Sequence, residues 1–379
     1  MSVTAPAGFR AAGVPAGLKA GGRPDVALVV NDGTLDTAAG VFTTNRVQAA
    51  PVLWSRQVVA AGRLRAVVLN SGGANACTGP AGFADTHHTA ERAAGLLGVG
   101  AGEVAVCSTG LIGVRLPLDL LLSGVAEAAA ALSTTGGPAA AEAIRTTDTV
   151  AKQATRGAHG VTVGGMAKGA GMLAPSLATM LAVLTTDAVV DAGTADRALR
   201  AAVAATFERV DSDGCLSTND TVLLLASGAS GRPLPDGLLT AVCADLAGQL
   251  VADAEGSTKT VAVRVVGAVD EADALEVGRA VARNNLVKCA LHGEDPNWGR
   301  VVAAVGTTRA VFDPAALDVE INGVAVCRGA APGAPRELVD LSGRDVTVTV
   351  DLHAGAHAAT VWTNDLTAAY VHENSAYPT

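Results

Sequence analysis

Aromatic side chains are scarce in this 379-residue chain, which has three Trp, two Tyr and five Phe, 3% of all residues. Nor is there a basic excess: 27 Lys and Arg stand against 36 Asp and Glu, a net charge of −9. Such a chain lacks both the phosphate-neutralising cations and the stacking rings that nucleic-acid binding uses. A small molecule is the better expectation for its ligand. Closely spaced cysteines are also missing. Of Cys77, Cys107, Cys215, Cys243, Cys289 and Cys327, the nearest two lie 28 positions apart, which excludes CxxC and a local zinc knuckle. The first 22 residues hold no continuous apolar stretch, so no secretory leader is expected. Reduced, buried thiols in a cytoplasmic protein follow. Charged residues are few (17%) against 49% hydrophobic, which excludes disorder and allows two or three domains or one large α/β unit. One run of 18 uncharged residues, between Lys168 and Asp187, approaches membrane-spanning length. It contains Gly169, Gly171 and Pro175, and Pro175 would break a helix in mid-span, so buried core is the expectation and no membrane partner.

What is present is a mixture of strand and helix patterns. Short β-branched runs occur at 26–30, 66–69, 103–107, 221–226, 260–267 and 346–352. Alanine-rich segments with helical spacing cover 117–132, about 194–208, 236–252 and 271–283. Linker chemistry separates elements at 133–138, 227–237 and 328–337. The class is therefore α/β or α+β.

Several segments could carry chemistry. KGAGMLAPSLATML (168–181) is a Gly/Pro loop that runs through Thr179 into MLAVL, a buried-strand pattern. Cleavage before such a Thr would place a new α-amine, pKa roughly 7.7–8.0, beside its own hydroxyl, joining base and nucleophile in one residue. On the pattern alone, a Thr that simply starts a strand is the simpler reading. CSTGLIG (107–113) offers a hydroxyl and a Gly N–H for an oxyanion hole, or an ordinary strand-to-helix turn. NSGGANACTG (70–79) is Gly-rich but fits neither GxxxxGK[ST] nor GxGxxG, so a tight turn lining a site is favoured over nucleotide binding. HGEDPNWGR (292–300) holds His292, Glu294 and Asp295, which could pass for metal ligands. Its Pro, Asn and Gly favour a turn anchored by Trp298. His87-His88 reads as a solvated helix face. Lys168 and Glu255, each near Gly in apolar surroundings, would suit the carboxylate and ammonium of an amino acid, or form structural ion pairs.

Taken together, these segments resemble the bifunctional ornithine acetyltransferase/glutamate N-acetyltransferase family, ArgJ. The resemblance rests on KGAGMLAPSLATML, NSGGANACTG, CSTGLIG, TTD at 146–148, DGCLSTND at 213–220, AEGSTK at 254–259, LVKCALHGEDPNWGR at 286–300 and the final HENSAYPT, in family order along the whole chain. It implies an α/β (α+β) αββα sandwich of N-terminal-nucleophile type, DmpA/ArgJ-like. Self-cleavage of the Ala178–Thr179 bond would give an α chain, 1–178, and a β chain, 179–379, assembled as an α2β2 heterotetramer. Thr179 matches the nucleophile. Thr109 and Gly110 match the oxyanion-hole pair. Thr146, Lys168, Thr179, Glu255, Asn374 and Thr379 match the substrate contacts, Thr147 being one residue from Thr146. The implied reaction moves acetyl from N2-acetylornithine to glutamate in cyclic arginine biosynthesis, and bifunctional members also accept acetyl-CoA. No metal or organic cofactor is implied. Leu216 departs from the hydroxyl residue expected in DGCLSTND. Two other readings remain: an N-terminal-nucleophile amidohydrolase or aminopeptidase, in which water resolves the acyl-enzyme, and a binding protein without a cleaved bond.

Overall fold

The β-branched runs form strands close to the expected boundaries, in a computed structural model that describes residues 2–174 and 180–376. Pro175–Thr179 and Tyr377–Thr379 lie outside the described residues, and with them the expectations placed on Ala178, Thr179 and Thr379. The chain divides into two units. One takes the residues up to Glu208 with Cys215–Asp253, the other Arg209–Gly214 with the residues from Ala254 onward.

The first unit contains strands β1 (Phe9–Val14), β2 (Val26–Asn31), β3 (Thr37–Phe42), β4 (Ala66–Asn70), β5 (Val104–Ser108), β6 (Lys152–Ala158), β7 (Val161–Lys168), β8 (Leu181–Thr186) and β9 (Thr221–Ala226). Its helices are α1 (Ala50–Val59), α2 (Gly79–Leu97), α3 (Leu118–Ala130), α4 (Gly137–Ala143), α5 (Ala192–Ala205) and α6 (Leu238–Ala252). One sheet has the order β1-β2-β4-β5 and the other β3-β9-β8-β7-β6. The pairs β4·β5 and β8·β9 are parallel and the others antiparallel. Side-chain alternation decides the layering. Leu181, Val183, Leu223 and Leu225 point from the five-stranded sheet into a core shared with Val26–Val29 and Val67–Leu69 of the four-stranded sheet. On the opposite face, Leu184 meets Val242 and Leu246 of α6, and Gly165 leaves the room for them. Helices α1–α4 pack on the four-stranded sheet. The sandwich expected from the sequence is thus present in this unit.

The uncharged run between Lys168 and Asp187 ends in β8, buried on both faces, and among the described residues no helix is long and apolar enough to cross a membrane. Three helices of this unit escaped the periodicity reading: α1, α2 at 19 residues, and the short α4. The apolar face of α2 is mostly Ala, Gly and Thr, too small to register as a hydrophobic stripe. His88 is exposed as expected of a solvated face, while His87 is half-buried with its ring 4.9 Å from that of Trp54. Cysteine burial is also only partly as expected: Cys107, Cys243 and Cys327 are buried, whereas Cys77, Cys215 and Cys289 are exposed.

The second unit contains β10 (Thr260–Ala268), α7 (Glu271–Ala282), α8 (Asn285–His292), α9 (Trp298–Val305), β11 (Asp318–Ile321), β12 (Val324–Arg328), β13 (Ala331–Pro332), β14 (Asp345–Asp351), β15 (His357–Asn364) and α10 (Ala368–Ala376). Its sheet runs β13-β12-β11-β14-β10-β15, with β10·β14 parallel. α7 packs on β10 and β15, and α9 on β11, around a separate Val-rich core. HGEDPNWGR spans the end of α8, a turn and the start of α9, and Trp298 packs against that core as expected.

Candidate active site

In the first unit the candidate residues gather where parallel strands end, the edge of an α/β sheet at which backbone groups become available to ligands. β4 and β5 finish side by side at Asn70 and Ser108, whose side chains hydrogen-bond at 2.7 Å, and Thr109 and Gly110 follow. Gly110 has φ +131°, and a Cβ there would lie 2.9 Å from the Gly73 backbone. Only glycine fits this position, for both conformational and steric reasons. NSGGANACTG is thus a tight turn packed against Thr109–Gly110: Gly73 bridges to Thr109, and the Ala74 N–H donates to the Leu111 carbonyl at 3.0 Å.

Lys168 ends β7, and its side chain is 1% exposed. Its Nζ donates to Thr109 Oγ1 at 3.2 Å. A hydroxyl that accepts from an ammonium keeps its own proton to donate elsewhere, and the adjacent positive charge strengthens that donation. Behind Lys168 lies Asp148. Its Oδ1 accepts from the Gly169 N–H at 2.6 Å and from the fully buried Lys152 Nζ at 2.6 Å, and its Oδ2 accepts from the Thr146 N–H at 3.0 Å. Burial alone would raise the Asp148 carboxyl. The Lys168 and Lys152 charges and the Gly169 N–H outweigh it and hold the group at about 2. Lys152 also reaches Asp253 Oδ2 at 2.5 Å. Buried lysines are thus charge-compensated rather than isolated. Thr146 therefore belongs to this network through its backbone, while Thr147 is exposed.

The strand that follows Thr179 is fixed next to this cluster. Met180, the first described residue after Thr179, donates its N–H to Asp220 Oδ1 at 2.9 Å. Asp220 and Asn219 close DGCLSTND. Asn219 Nδ2 donates to the Ala74 carbonyl at 2.6 Å and the Ser108 carbonyl at 2.7 Å. Leu216, the departure in this motif, is half-buried and its carbonyl accepts from Asn45 Nδ2 at 2.9 Å, so the loop is anchored through its backbone.

In the second unit, Glu255 and Asn374 come together. Asn374 Nδ2, on exposed α10, donates to Glu255 Oε2 at 2.9 Å. Gly256 permits the approach, because with φ +60° a Cβ there would lie 2.3 Å from the Tyr370 nitrogen. Glu255, Arg283, Lys288, Asp365 and Tyr370 line a cavity of about 210 Å3. Burial lowers Lys288 to about 8 against the pull of Asp213, Asp211 and Asp365.

His292 pairs with Asp365 at 2.9 Å and Glu294 with Lys259 at 3.2 Å, so these side chains serve the turn. Among the described residues no group of three His, Cys, Asp or Glu is placed to hold a metal ion. Asp148, Asn219 and Asp220 were quoted in the sequence only as parts of motifs. No local pattern marks their roles, because their partners lie far along the chain.

The chain matches the ArgJ family model over residues 10–379. It is 64% identical over 381 residues to the arginine biosynthesis bifunctional protein ArgJ of Streptomyces coelicolor, each chain covered completely. To the protein of that name from Mycobacterium leprae it is 59% identical over 388 residues, covering 99% of this chain and 95% of the relative. Among solved structures, the ornithine acetyltransferase of Mycobacterium tuberculosis complexed with ornithine aligns at 65% identity and TM-score 0.46, over 47% of this chain and 96% of that one. The family model covers nearly the whole chain, and the chain belongs to the ArgJ family.

Proposed function

We propose that this chain transfers acetyl from N2-acetylornithine to glutamate by two successive displacements on Thr179, after cleaving its own Ala178–Thr179 bond. The observation that carries the reading is the buried Lys168 ammonium on the Thr109 hydroxyl, beside a Gly110 that no other residue could replace. Such a pair suits an oxyanion, because both donors are preorganised and one is backed by charge. In the first displacement the Thr179 oxygen attacks the acetyl carbonyl and its proton passes to the Thr179 α-amine. The C–N bond then breaks, the α-amine returns the proton to the departing ornithine nitrogen, and an acetyl ester remains. The glutamate amine next attacks the ester. Its proton passes through the same α-amine to the Thr179 oxygen as the C–O bond breaks.

The α and β chains are proposed to stay together. β7 and β8 flank the bond and form a ladder from Lys168↔Leu181 to Val163↔Thr186. A nick between them leaves that ladder and its core intact. Thr146, Glu255, Asn374 and Thr379 are proposed substrate contacts, Glu255 for the ornithine ammonium, and Lys168 is proposed to serve the Thr109 hydroxyl. The α2β2 assembly, acetyl-CoA as a second donor and a cytoplasmic location are likewise proposed, from the resemblance. Incubating the cleaved protein with acetylornithine alone tests the route. The β chain should gain one acetyl group, and initial-rate plots should be parallel. Intersecting lines with no labelled chain would contradict it. Water-driven release of acetate in place of transfer would favour the amidohydrolase.

A further inference from the structure

The proposed chemistry assigns no step to DGCLSTND, yet its last two residues touch both halves of the first unit's site. Asn219 spends both Nδ2 protons, on the Ala74 and Ser108 carbonyls, while its Oδ1 accepts from the Thr218 hydroxyl at 2.6 Å. The side chain is therefore fully satisfied and locked. The Ser108 carbonyl belongs to the peptide that leads into Thr109. Asp220 is 0% exposed, and its Oδ1 holds the Met180 N–H, which belongs to the peptide that joins Thr179 to the strand. The backbone repeats the connection, since the Thr221 N–H donates to the Met180 carbonyl at 3.1 Å and the Thr43 N–H to the Asp220 carbonyl at 2.9 Å.

We infer that Asn219 and Asp220 are paired positioning residues, a two-residue clamp that registers the Thr109–Gly110 oxyanion hole against the first peptide of the nucleophile strand. The inference rests on the reading of Thr179 given above. Sequence neighbours holding the two halves transmit little slack, and misplacement of about 1 Å at such a site can cost about 10²-fold in rate. Burial holds the Asp220 carboxyl well above the usual carboxylate range, opposed in part by the Met180 N–H, Ser217 and the Lys168 charge. The useful group at this position is thus the Oδ1 acceptor, which an amide also supplies.

The test compares Asp220→Leu, which keeps the branching at Cγ and removes the acceptor, with Asp220→Asn, which keeps the acceptor. Each variant is followed by conversion of the full chain into two pieces, by kcat and KM for acetylornithine, and by melting temperature. The Leu variant should slow both cleavage and kcat by about tenfold or more, with KM within about twofold, because the lost contact positions reacting atoms rather than binds substrate. The Asn variant should recover most of both rates. Normal rates in the Leu variant overturn the clamp, as does an Asn variant as slow as the Leu variant at equal melting temperature. If the Leu variant does not fold, the Asn variant decides alone: retained cleavage and turnover support the clamp, and loss beyond about tenfold in a folded protein overturns it. The parent chain separates the two ideas. An active parent that is uncut, or cut elsewhere, removes the Thr179 reading and the clamp with it. A parent cut at Thr179 beside a normal Leu variant removes the clamp only.

Discussion

The two units carry their candidate residues in opposite ways. In the first, Lys168, Lys152, Asp148, Asn219 and Asp220 are buried, and each sits in a network of partners at 2.5–3.2 Å. In the second, Glu255 is half-buried, Asn374 is exposed, and one hydrogen bond joins them. Groups that must meet developing charge gain most from a rigid, desolvated setting. Groups that recognise the end of a flexible amino acid can stay near water and adjust. The contrast implies that substitutions in the first unit strike stability and kcat, whereas those in the second strike KM and substrate choice.

The sharpest break of that contrast is Asp148. Asp148→Ala leaves Lys152 short of one buried partner, and removing one member of such a pair costs about 3–5 kcal/mol. Denaturant midpoints should show it, and a change near zero would mean the network is not buried in solution. Lys168→Met comes next. If the ammonium serves the Thr109 hydroxyl, kcat should fall by about 10–10²-fold with little change in KM. A rise in KM for both acetylornithine and glutamate would instead assign Lys168 to a shared substrate carboxylate. Glu255→Gln should raise KM a few-fold in the ornithine half-reaction and leave glutamate acetylation nearer to parent values, since a half-exposed charge contributes about 0.2–1 kcal/mol. Equal losses in both halves would remove that assignment.

The smallest effects concern pH, and their signs oppose. Asp148 is depressed in the folded state, so its contribution is present above about 4 and lost as pH falls towards its folded value of about 2. Asp220 is raised, so the folded chain keeps a proton that the unfolded chain releases near about pH 4, and stability falls as pH rises above that value. The advantage of Asp220→Asn over the parent in melting temperature should therefore grow as pH rises above about 4. A constant difference would place Asp220 in an ordinary environment.

The legible part of the fold was its apolar periodicity: VALVV, AVVL and TVLLLA became buried strands because β-branched runs pack well only on a pleated sheet. α2 was hidden because its buried face is made of small residues. In the site, Gly110 could be singled out from a Thr-Gly pair after a strand, since glycine there signals close backbone approach. Asp148 and Asp220 could not. Their roles arise from pairings 21 and 40 residues away, with the Gly169 and Met180 amides, and no local pattern encodes such distances. Tyr370, a lining residue of the second unit's cavity, was likewise invisible until Gly256 brought α10 close to Glu255.

The central claim is that one bond is broken to make the nucleophile, because the Thr179 nitrogen is an amide until then and cannot act as a base. Denaturing electrophoresis of the purified protein, with N-terminal sequencing of its bands, tests this directly. The account predicts pieces of 178 and 201 residues, the second beginning TMLAVL, with all acetyltransferase activity in the cleaved form. Thr179→Ala should give one uncut, inactive chain. Full activity from an uncut chain, or cleavage at another bond, would contradict it.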